Sequence, residues 1–129
     1  MAEQIPLNKF VLVTKTLRGD DDGEVEVYQT PVGVSSVVLS FQISNVLEES
    51  ITGAEDSITI NVVIDRGGGN EFFLVKEAVI PVSEALNPLS GKLVLQEGDI
   101  VKLEALEGPT FAPVSEADIV LSVLENANE

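Results

Sequence analysis

The sequence predicts an all-β chain: a single antiparallel β-sandwich of about eight strands, with either a jelly-roll-like or an immunoglobulin-like strand order. Three observations carry that expectation. Apolar residues recur with period two in several separate stretches. Glycine, proline, asparagine and aspartate cluster between those stretches, where turns are needed. No stretch sustains a helical period, and no internal repeat is present.

Residues 1–7 precede the first strand. Ile5, Pro6 and Leu7 suit either an arm that docks on a neighbour or a terminus that frays. Strands are then expected over Asn8–Leu17 and Glu24–Thr30, separated by the acidic turn GDDDG. In VVLSFQIS, Val37, Leu39, Phe41 and Ile43 share one face, with Ser40, Gln42 and Ser44 on the other. A long polar stretch from Val46 to Asp56 reads as a surface loop. In SITINVVID, Ile58, Ile60, Val62 and Ile64 form the apolar row. The run RGGGN suits a hairpin tip leading into a strand over Glu71–Val82. Ser83–Asn87 is expected to form one helical turn, ended by Pro88. A strand over Gly91–Gln96 follows, and Gly98 supplies positive φ for the next turn. In DIVKLEAL the row is Val101, Leu103 and Ala105; in DIVLSVLE it is Ile119, Leu121 and Val123. Residues 126–129 are expected to form a tail, and 1–129 a single domain.

Two runs are apolar without alternation, Phe10–Val13 and Phe72–Val75. Such strands either bury both faces inside the fold or present one face to another protein. On the second reading, Ile5, Leu7, Phe10, Val11, Phe72 and Phe73 are candidate interface residues. Of the aromatics, Phe10, Phe41, Phe72 and Phe73 fall mostly on core-like rows, which leaves Tyr28 and Phe111 as the surface candidates.

The 129 residues are 44% hydrophobic, too apolar for a disordered chain. Twenty-two acids against seven bases give a net charge of −15, which argues against binding a nucleic-acid backbone. No apolar run approaches the roughly 18 residues of a membrane span, and the N-terminus does not read as a signal peptide.

Histidine and cysteine are both absent, which excludes Ser-His-Asp and Cys-His nucleophilic sites and the usual structural zinc sites. A carboxylate-pair glycosidase would want an aromatic-lined cleft, and there is no tryptophan and one tyrosine. The expectation is therefore a non-enzymatic chain with no cofactor. The glycine run in RGGGN lacks the lysine and following helix of a phosphate loop. Asp20, Asp21, Asp22 and Glu24 offer oxygen ligands for calcium, but the closing glutamate of a twelve-residue calcium loop is missing, and a solvated acidic turn is the better reading.

From Tyr28 to Glu125 the punctuation has a recognisable order. Tyr-x-x-Pro leads into a long strand ending in Ser44-Asn45, followed by ITINVVIDRG, Ile80-Pro81, Gly91-Lys92-x-Val94-Leu95 and Gly98-Asp99-x-Val101-Lys102, then the closing strand DIVLSVLE. This layout resembles small β-sandwich virion proteins of tailed bacteriophages, particularly those of marine and cyanobacterial hosts. The resemblance implies a structural protein made in the host cytoplasm and carried in the virion. Its expected role is capsid decoration (cement) on the major capsid protein, as a dimer or trimer; a neck, tail or fibre-attachment component is the alternative. It carries over no catalytic residue and implies no nucleic-acid or membrane partner. A carbohydrate-binding or adhesion module is the competing class, resting on Tyr28.

Overall fold

In the computed structural model, the described residues are 8–17, 24–46, 58–81, 83–106 and 117–127, and within them the period-two stretches form strands. In chain order these are β1 (Asn8–Leu17), β2 (Glu24–Gln29), β3 (Val34–Asn45), β4 (Ile58–Asp65), β5 (Glu71–Ile80), β6 (Ala85–Leu86), β7 (Leu93–Leu95), β8 (Ile100–Leu106) and β9 (Ala117–Ala127). All pairings are antiparallel.

The strands divide into two sheets. One runs β1-β9-β3, with the short β6 and β7 pairing different parts of the far edge of β3; the other runs β2-β8-β4-β5. Sequence neighbours β1, β2, β3 and β4 alternate between the sheets. That order is a jelly roll. An immunoglobulin-type sandwich would keep its first two strands in one sheet. β1 lies beside β2, so β5 edges the second sheet on the side away from β1.

The core fills the space between the sheets. Phe41 and Ile43 of β3 and Ile119, Leu121 and Val123 of β9 meet Ile58, Ile60 and Val62 of β4 and Val101 and Leu103 of β8. Each such side chain contributes about 1.5–3 kcal/mol by leaving water. Polar groups tie the layers where the core ends. The buried Asn45 on β3 donates through Nδ2 to the carbonyl of Ile80 on β5, 2.9 Å away. The Tyr28 hydroxyl on β2 donates to Glu125 Oε2 of β9 at 2.5 Å and lies 2.7 Å from Ser36 Oγ of β3.

The predicted hairpin tip forms as expected: Gly67, Gly68 and Gly69 all have positive φ, and the Arg66 amide donates to the Asn70 carbonyl. Gly98 also has positive φ, 86°, in the turn between β7 and β8.

Three expectations are corrected. In β3 the buried row is Val38, Phe41 and Ile43, with Val37 and Leu39 only half-buried. The register against β9 shifts between Val38 and Ser40, so a bulge at Leu39 turns the strand over by one residue. Ser83–Asn87 does not make a helical turn. Ser83 takes φ 64° and Ala85–Leu86 pairs with Ile43–Ser44 of β3, which draws the segment into the sheet. The aromatic assignment also changes. Phe41 is buried, but Phe10, Phe72 and Phe73 are exposed because β1 and β5 are edge strands, and Tyr28 is half-buried. Phe111 lies outside the described residues, as do Ile5, Leu7 and Asp20–Asp22.

Candidate protein-interaction surfaces

Cross-strand partners share a sheet face, so the register specifies what each face presents. In the first sheet, Val11, Val13 and Leu17 of β1 pair with Val123, Leu121 and Ala117 of β9 and pack on the core side. The alternate residues therefore face outward. One outward row crosses four strands: Phe10 of β1, Leu124 of β9, Val37 of β3 and Val94 of β7. Phe10 is 75% exposed and Val94 59%. The neighbouring row begins with Leu12, 68% exposed, and Val120 is exposed one row further on. Most of the remaining outward positions are uncharged and polar, including Thr14, Thr16, Ser122, Ser40 and Gln42. Among the outward positions of β1, β9 and β3, Asp118 is the one ionisable group.

The outer face of the second sheet is its electrostatic opposite. Glu24 and Glu26 of β2, Lys102 and Glu104 of β8, and Asp65 and Glu71 at the ends of β4 and β5 lie on it. Lys102 Nζ sits 3.0 Å from Asp65, 3.6 Å from Glu71 and 3.9 Å from Glu24. The Gly67 amide, 2.8 Å from Oδ1, and then Lys102 hold the Asp65 carboxyl below its ordinary value. Its bond to Asp65 pushes the Lys102 ammonium up. Val63 is fully buried beneath this layer, although it points away from the main core, with Phe73 and Lys102 as its register partners.

The β5 edge is a second apolar surface. Phe72, 59% exposed, pairs with Ile64 on the core-side row, Phe73 and Val79 are exposed on the outer face, and Lys76 Nζ lies 5.4 Å from the Phe73 ring centre. The register against β4 shifts twice along this strand, with Glu77 at φ 53°. Asn61 of β4 anchors that irregularity: its Oδ1 accepts from the Glu77 amide at 2.7 Å, and its Nδ2 donates to Glu104 Oε1 at 3.1 Å. Bulges of this kind obstruct indiscriminate strand-to-strand addition at an edge and leave recognition to side chains.

Of the candidate residues read from the sequence, Phe10 belongs to the first surface and Phe72 and Phe73 to the β5 edge, on different sheets. Val11 instead packs against the core. Leu12, Val37, Val94, Val120 and Leu124 were missing from the sequence-derived set. Their membership follows from register across strands that are distant in sequence.

The Tyr28 ring does not form an open platform for a sugar, since its hydroxyl is engaged between the two sheets. A shallow open groove beside the β3 bulge, lined by residues including Leu39, Ser40, Asn87 and Leu89, has Lys92 as its one titratable group and so holds no acid–base pair. Among the described residues no cluster of carboxylates has an arrangement fit to hold a metal ion.

No family model matches the chain, and no curated protein matches it significantly. Among solved structures, the capsid asymmetric unit of cyanophage Pam1 is similar over 98% of this chain and 91% of that one, at 12% identity and a TM-score of 0.44. A likeness at that level assigns neither family nor role.

Proposed function

We propose that this chain is a non-enzymatic structural protein of a tailed-phage virion, and more specifically a capsid decoration protein bound to the major capsid protein. The observation that carries this reading is the exposure of apolar side chains on two separate surfaces of a chain with net charge −15. Contiguous exposed apolar surface, such as the row from Phe10 to Val94, marks protein contacts. Two such surfaces suit a subunit that meets more than one neighbour. The jelly-roll strand order is compatible with viral capsid use, although a fold alone does not assign a role. The punctuation between Tyr28 and Glu125, which resembles that of phage β-sandwich proteins, adds to it.

In this reading the β5 edge, with Phe72 and Phe73, meets the other virion protein. The mechanism is passive burial of apolar surface, of about 800 Å² per partner in an interface of standard size. Quantitative mass spectrometry of purified particles tests it. Copies comparable in number to the major capsid protein support decoration. About six or twelve copies per particle would favour a neck or tail ring instead. Absence from the particle overturns the virion reading.

A further inference from the structure

We infer that the outer face of the β1-β9-β3-β7 sheet is the contact between two copies of this chain, packed face to face about a two-fold axis. The inference rests on reading that face as a protein contact and names its occupant.

Charge selects the occupant. Each copy carries −15, so two copies repel wherever their acids approach. They can meet at low cost on a surface with few charges: the outward positions of β1, β9 and β3 carry Asp118 alone, and Lys92, in the groove beside Ser40, adds one positive charge. A basic partner would select the opposite face, where Glu24, Glu26, Asp65, Glu71 and Glu104 surround one lysine.

The chemistry of the face is complementary to itself. Phe10, Leu12, Val37, Val94, Val120 and Leu124 supply apolar area that needs no specific partner group. The rest is largely serine, threonine and glutamine, whose side chains both donate and accept hydrogen bonds. A two-fold contact places the same patch on both sides, and a surface of this composition satisfies that requirement. The lysines of β1 do not interfere: Lys9 and Lys15 pair with Glu125 and Ile119 on the core-side row at the strand edge.

The area suffices. Strands of this length, about 3.3 Å per residue and 4.8 Å apart, give four strands an outer face of about 600 Å². Two copies then bury about 1,200 Å², the lower end of the range for stable specific interfaces. Aligned sheets pack in this way about 10 Å apart.

Sedimentation equilibrium of the full chain tests the inference. The expected mass is twice the 13.7 kDa of one chain. Leu12→Glu places a buried acid in both copies and is expected to raise the dimer dissociation constant by about a hundredfold. Because Leu12 is exposed within the single chain, the variant monomer should keep the wild-type circular dichroism. Phe73→Glu, on the other sheet, should leave the dimer intact. A monomeric wild type up to millimolar concentration, any other stoichiometry, or a Leu12→Glu protein that still dimerises overturns the inference.

The outcomes separate from those of the virion reading. A monomeric wild type that is nevertheless present in particles overturns the dimer and leaves the virion role standing. A dimer abolished by Leu12→Glu in a protein absent from particles does the reverse.

Discussion

Tyr28 connects three strands through one oxygen, and its chemistry follows from that position. Its ring is half-buried on β2, and its hydroxyl reaches Glu125 and Ser36 on the facing sheet. Burial first, and then the bond to Glu125, push its pKa from 10.0 up to about 12. The fold therefore favours the neutral phenol. That stabilisation is complete below pH about 10, where even the unfolded tyrosine is neutral, and it is lost as pH rises toward about 12. Tyr28 is the sole tyrosine and there is no tryptophan, so the tyrosinate absorbance titration reports it directly. The expected midpoint lies well above that of a free tyrosine and returns toward the ordinary value in urea. Tyr28→Phe should remove this part of the alkaline loss of Tm. Tyr28 was legible in the sequence as a landmark but not as an inter-sheet clasp, because Ser36 and Glu125 converge on it only when the two sheets close.

At the scale of the element, β5 is shaped by its neighbour as much as by its own residues. Asn61 on β4 holds the Glu77 amide, and without it that bulge loses its hydrogen-bond acceptor. Asn61→Ala is expected to cost about 1–3 kcal/mol in urea denaturation, since it strands a partly buried N–H. The outer layer of the same sheet depends on Lys102, which faces Asp65, Glu71 and Glu24 together. Lys102→Met should lower Tm, and added salt should recover much of the loss, because screening relieves the repulsion among the remaining acids. The pH window follows from the two shifts. The Asp65 contribution is present above the ordinary aspartate value of 3.8 and is lost as pH falls through its lowered pKa. The Lys102 contribution is present below 10.5 and is lost as pH rises through its raised one.

For the molecule as a whole, stability and association reside on opposite faces of the same strands. Leu121 is fully buried on β9, whereas Leu12, one rung of the ladder away on β1, is 68% exposed. Leu121→Ala is therefore expected to cost about 2–5 kcal/mol in chemical denaturation. Leu12→Ala should change the stability of the isolated chain by no more than about 0.5 kcal/mol while weakening self-association. A denaturation series and a sedimentation series on the same two variants would check the division.

The sequence by itself determined the fold class, the larger strands and most of the core. Those depend on alternation within one strand and on turn residues that need particular φ, both local properties. The rows in β4, β8 and β9 and the turns at Gly67–Gly69 and Gly98 were readable for that reason. Tertiary structure decided what depends on pairing between distant segments. It chose the jelly-roll order, inserted the bulge that reverses half of β3, and drew Ala85–Leu86 into a strand. It also assembled the apolar outer row from Phe10, Leu124, Val37 and Val94. No local pattern marks those four residues as neighbours, because their adjacency is a matter of strand register and register is set only when the sheet forms.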